Sequence, residues 1–294
     1  MKLFVKRNRF LFISLIVIFL WVLISLIQYK FDFEQLRESS INNLEYCMQR
    51  HSDDFCDRFS VATMPDTISI FFQLIVNYSL RIFVFFIYPI FIIISVISGI
   101  YREIKSGYFK NVLTRMSYKN YILKIYLSSL KNLIILPYFL IILFIGSYIL
   151  SGGNLIVPTE ETTFVSQEYL NNIVQFGLVY VLNVFLLNLF IINISYIFTV
   201  KSNHFVSAII GSYLCFWILW IVLEAFIGVL IQNVFNVRFL TNSLNFSAFW
   251  IYDQVISLPF MVAFALCLVI FSGIIAYAVS KNKERVMLSA EKSV

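Results

Sequence analysis

The sequence predicts an all-α integral membrane protein with six transmembrane helices, and three observations carry that prediction. Sixty per cent of the 294 residues are hydrophobic and 13% are charged, giving a mean hydropathy of +0.86, whereas soluble domains carry about 25% charged residues. The apolar residues are gathered into stretches of the roughly 20 residues that a helix needs to cross a bilayer. The connections between those stretches alternate in charge, which sets an orientation.

The first span, 10–28 (FLFISLIVIFLWVLISLIQ), follows a basic start containing Lys2, Lys6, Arg7 and Arg9. Its apolar run exceeds the ~7–15 residues of a signal-peptide core, and YKFDFEQ beyond it offers no small-x-small cleavage site, so an uncleaved anchor is expected. An outer loop, 29–67, comes next. The apolar run 68–100 is too long for one crossing at about 1.5 Å per residue, and counting back from Arg102 puts the second span at 81–100. In the remaining piece Ser69, Gln73, Asn77 and Arg81 recur every four residues, a polar stripe on an apolar helix. Such a helix is expected to lie on the outer surface, or else to guide a substrate to a dimer interface.

The third span, 132–150, carries Pro137, tolerated in a membrane helix whose neighbours satisfy the freed carbonyl. The fourth and fifth, 173–200 and 205–223, are joined by a short turn at Lys201. The sixth, 258–279, has Pro259 in its first turn, where a missing N–H costs little. No internal repeat and no soluble domain interrupts this plan, so 1–294 forms one transmembrane domain.

Positive residues stay on the cytoplasmic side. The loop 101–131 holds Arg102, Lys105, Lys110, Arg115, Lys119, Lys124 and Lys131 against Glu103, and the C-terminal stretch holds Lys281, Lys283, Arg285 and Lys292 against Glu284 and Glu291. The alternate loops are acidic: Asp32, Glu34, Glu38, Glu45, Asp53, Asp54, Asp57 and Asp66 outweigh four bases in 29–67, and Glu160, Glu161 and Glu168 stand unopposed after the third span. Six spans with both ends of the chain in the cytoplasm satisfy every loop at once. Within the basic loop Phe109, Val112, Leu113 and Met116 share one helical face, with Lys110 and Arg115 on the other. That amphipathic helix either docks a cytosolic partner or rests on anionic headgroups.

Composition also excludes functions. No GxxxxGK[ST] phosphate loop is present, so the chain hydrolyses no nucleotide by that route. No Asp, Glu, Lys or His falls in the middle of a span, where gradient-driven transporters place their ionisable groups. The two histidines, His51 and His204, lie on opposite sides, and no acid–base constellation forms. The chain is therefore expected to be no enzyme, to bind no cofactor or metal itself and to contact no nucleic acid. Any pumping needs a partner's energy.

Further features have two readings each. Asn172, Gln175, Asn183 and Asn193 fall on one side of the fourth span, with Asn188 opposite, as packing glue or as pathway lining. Ser207, Ala208, Gly211 and Ser212 form small-xxx-small pairs on the fifth span, suited to close packing within the subunit or to a dimer seam. Cys47 and Cys56 lie in the outer loop, where oxidation is possible, and a local disulfide is expected. Glu224 sits at the outer end of the fifth span.

The segment 101–124 resembles the first cytoplasmic loop of the permease subunits of type-2 ABC exporters, the ABC-2 family. The likeness rests on Glu103, the Ser106-Gly107 turn, Val112-Leu113, the Thr114-Arg115-Met116-Ser117 break, and Tyr121 followed by Lys124. The family often has a proline in the break and a threonine after the glycine, where this chain has Arg115 or Met116 and Tyr108.

The resemblance implies that Glu103, Gly107, Phe109, Lys110, Val112, Leu113, Arg115 and Ser117 couple the permease to a separate ABC ATP-binding subunit carrying ATP and Mg. It implies a homodimer or a heterodimer with a second permease, with the fifth span, Ser207 and Gly211 included, near the seam. Independently of the resemblance, the pathway readings above make Asn183 and Arg81 candidate pathway residues. The resemblance also implies a re-entrant hairpin at 224–255 on the outer side. The expected function is export of a hydrophobic or amphipathic substrate (a peptide antibiotic, drug or lipid-like molecule) across a bacterial plasma membrane, in contact with membrane lipid. The rival is an ATPase-independent immunity or channel-like protein binding a peptide at its outer loops.

Overall fold

The computed structural model describes residues 8–50, 61–77, 80, 83–105, 112–155, 173–235 and 258–281. Among them every regular element is a helix. The helices are α1 (Arg9–Arg50), α2 (Thr67–Asn77), α3 (Tyr88–Lys105), α4 (Tyr118–Ser129), α5 (Ile135–Leu150), α6 (Ile173–Lys201), α7 (Phe205–Ile221), α8 (Val229–Phe235) and α9 (Leu258–Lys281). Among the described residues, five helical stretches are long and apolar enough to cross a membrane: α1, the rod Tyr118–Leu150, Gly177–Lys201, Phe205–Gly228 and Val262–Lys281.

Helix α6 is the axis of the bundle. Phe190 through Tyr196 are all buried without a break, and at 3.6 residues per turn such a run has no outward face. Helices α9, α3 and α7 pack around it, α3 also meets α1 and α7, and α5 bridges α1 to α2. Buried amides fasten the axis to its neighbours. Tyr88 Oη donates to Asn188 Oδ1 at 3.1 Å, Tyr126 Oη donates to Asn193 Oδ1 at 2.7 Å, and Asn193 Nδ2 donates to Ser272 Oγ at 2.9 Å. Asn188 and Asn193 are packing glue, as amides in an apolar bundle need partners across helices.

Helix α1 takes up the first part of the expected outer loop at 29–67. Its face against the bundle (Leu11, Ser14, Ile18, Val22, Ser25, Tyr29) ends at Tyr29, yet the helix runs on to Arg50. Its 42 residues rise about 63 Å, roughly twice the ~30 Å hydrocarbon core. The stretch beyond Tyr29 contains no glycine or proline to stop it, and Lys30 and Glu34 pair one turn apart at 3.8 Å.

Helix α2 was expected on the surface but lies inside. Ile70, Leu74 and Ile75 are buried, Tyr29 Oη donates to Gln73 Oε1 at 2.6 Å, and Phe71 and Phe72 meet the Tyr180 ring edge-on. Of the polar stripe, Gln73 thus faces α1 and Ser69 faces Asp66. Asp66 caps the helix by accepting from Ser69 N at 2.8 Å, a donor otherwise orphaned. The first turn of α2 is tied to the end of α5, where Gly152 and Gly153 take positive φ and close the helix in the manner of a glycine C-cap. Thr67 N donates to Asn154 O at 2.9 Å there.

The expected loop 101–131 is also more ordered than predicted. Tyr118–Ser129 joins α5 through one 3-10 turn, Leu130–Ile134. The tightened turn sits just before Pro137, which has no N–H to give to the carbonyl four residues earlier. On the other side, α7 passes through a π turn, Val222–Gly228, straight into α8. The chain therefore does not reverse at 224, and the rest of the expected hairpin lies outside the described residues.

Candidate functional site at the basic end

The expected coupling residues are carried by the end of α3, a short turn and the start of α4. Helix α3 delivers Arg102 and Glu103 in its last turn. Gly107, Phe109 and Lys110 lie outside the described residues. Val112 and Leu113 are helical and pack against the core. The chain then turns at Thr114–Arg115, with the Arg115 and Met116 amides both donating to Val112 O. Ser117 adopts an extended conformation and caps α4, its Oγ accepting from Asn120 N at 3.4 Å.

Tyrosine hydroxyls pin this turn to the bundle. Tyr121 Oη donates to the backbone carbonyl of Glu103 at 2.8 Å, bracing α4 against α3. Tyr118 Oη donates to Ser280 O at 2.7 Å, bracing it against the end of α9. Tyr101 Oη reaches Asn203 O at 3.1 Å in the α6–α7 turn, and Phe205 meets both Tyr101 and Phe10. Lys131 Nζ donates to Asn8 Oδ1 at the start of α1. Every described helix end carrying the predicted cytoplasmic charges therefore meets at one end of the bundle. Thr114, Arg115 and Ser117 remain exposed there.

The turn around Arg115 is thus linked through α4 to the ends of α3 and α9 by hydrogen bonds.

The other predicted residues are not brought to one place. Asn183 is buried in α6 and its Oδ1 accepts no hydrogen bond. Gly211 lies on α7 against Phe198 of α6, fifteen residues along that helix from Asn183 and so about 22 Å away. Gly211 is thus occupied within the subunit, whereas Ser207 is exposed. Arg81 and Cys56 lie outside the described residues. Cys47 is disulfide-bonded, and Cys215 and Cys267 are free. Among the described residues no group of three or more His, Cys, Asp and Glu could hold a metal.

Sequence reasoning missed the tyrosines. Tyr101, Tyr118 and Tyr126 are not among the residues that carry the resemblance; only their recurrence near predicted span ends hinted at interfacial anchoring.

Fold and site together define the class: a multi-pass helical membrane protein whose basic helix ends are cross-braced at one end. Within that class, no family model matches the chain, nor does any curated protein or solved structure.

Proposed function

We propose that this chain is the membrane-spanning subunit of an ATP-driven exporter, working with a separate ATP-binding subunit at its basic end. Both ends of the chain then lie on the cytoplasmic side, and α3 with the preceding π turn, Phe83–Ile87, makes the sixth crossing. The observation that carries this reading is the exposed Arg115 turn, braced through Tyr118 and Tyr121 to the ends of α9 and α3. Force applied there moves several helices, which is what a chain without its own nucleotide site requires. The cargo class is hydrophobic or amphipathic.

A second reading rests on α1, whose stretch beyond Tyr29 exposes Phe31, Leu36 and Met48. That stretch suits capture of a peptide outside the cell without any ATPase. Affinity purification from membranes separates the two. The exporter reading expects an ATP-binding subunit in stoichiometric amount, lost in the Lys110→Glu/Arg115→Glu variant while the chain's own yield and melting temperature stay unchanged. Purification without such a subunit, under conditions that retain the folded chain, rejects that reading.

A further inference from the structure

A cavity of about 500 Å³ opens at the basic end between α4 and α9, within the range of about 300–1,000 Å³ typical of small-molecule sites. Buried Tyr196, Ala276 and Ser280 form its floor, while Lys119, Leu123 and Lys281 stand exposed around it. Gly273 contributes by what it lacks. A Cβ added there meets nothing closer than Asn193 Nδ2 at 3.8 Å, so the missing side chain is part of the space. The buried Tyr196 hydroxyl has no hydrogen-bond partner among the described residues. Among the described residues neither Lys119 nor Lys281 has an acidic partner.

We infer that this cleft binds an acyl chain of an anionic phospholipid, with the phosphate held at the rim by Lys119 and Lys281. Chemistry and position agree on that occupant. The walls are apolar, through Ile122, Leu123 and Ala276, and match a hydrocarbon chain. Two cations stand where the helices reach the headgroups, and juxtamembrane lysines attract anionic lipid. A zwitterionic lipid fits the slot equally well but gains nothing from the lysines. The inference needs only membrane embedding and stands apart from the exporter reading.

The test uses the full-length chain in neutral detergent micelles with photoactivatable phosphatidylglycerol, its diazirine on the acyl chain, and the matching phosphatidylcholine. Phosphatidylglycerol is expected to label peptides of α4 or α9 about thirtyfold more than phosphatidylcholine, since the two lysines contribute about 1 kcal/mol each and about 1.4 kcal/mol is tenfold. Lys119→Gln/Lys281→Gln, a surface change, should bring the two lipids to the same level. Gly273→Leu should fill the slot and remove labelling by both, at an unchanged melting temperature. If that variant does not fold, the lysine pair decides alone. Equal labelling of the two lipids by the unaltered chain, or labelling unmoved by the lysine pair, overturns the inference.

Discussion

Gly211 offers the sharpest test of how α6 and α7 meet. A Cβ built on it stands 2.6 Å from Cδ1 and 2.8 Å from Cε1 of Phe198, well inside the ~3.5–4.0 Å at which carbon atoms attract. In Gly211→Ala the ring must rotate or the helices must part, and overpacking of this kind costs about 1–3 kcal/mol. Alanine gains up to about 1 kcal/mol over glycine in a helix, less in detergent, where helices persist after they separate. The expected net loss is about 1–2 kcal/mol. Gly99 and Gly177, where an added Cβ meets nothing within 4 Å, supply controls that should lose nothing on the same substitution. In a double-mutant cycle Phe198→Ala should absorb the loss, giving a coupling of about 1 kcal/mol or more. Reversible unfolding of the purified chain in mixed micelles measures these values, with light scattering to follow oligomeric state. A Gly211→Ala variant as stable as the wild type but altered in oligomeric state refutes the reasoning, because the glycine then faces a second copy.

Asn193→Ala removes an acceptor for Tyr126 and a donor to Ser272. At about 0.6 kcal/mol per interhelical bond, up to about 1.7, it should lower stability by about 1–3 kcal/mol in the same unfolding assay, and Ser272→Ala by less. Orientation is read with a membrane-impermeant thiol reagent on intact cells, in a background with Cys215 and Cys267 replaced by serine. Leu36→Cys should be labelled and Arg115→Cys should react only after lysis; the reverse pattern removes the exporter reading, since the turn would face away from any ATPase.

Much of the architecture was legible because bilayer crossing is a local demand. Hydropathy placed the end of the first bundle-packed stretch at 28, next to Tyr29, where α1 leaves its neighbours. It could not show that the helix continues, because a polar helix and a polar loop have the same hydropathy; the signal was instead the absence of glycine and proline up to Arg50. The same blindness made 118–131 a loop, although those residues form the whole of α4 and the start of the 3-10 turn leading into α5. Periodicity placed Gln73 on a polar face of α2 but could not say what that face meets. Here Tyr29 meets Gln73, from a residue 44 positions away.

By itself, then, the sequence determined that the chain is helical and carries segments long and apolar enough to cross a membrane, because both follow from composition within a window of about 20 residues. Tertiary structure alone decided that α6 is the axis, that Gly211 is taken up by Phe198, and that three tyrosines brace the basic end. Those are contacts between residues far apart in the chain. Their geometry depends on which helices become neighbours, and no local pattern of apolar and polar residues specifies that choice.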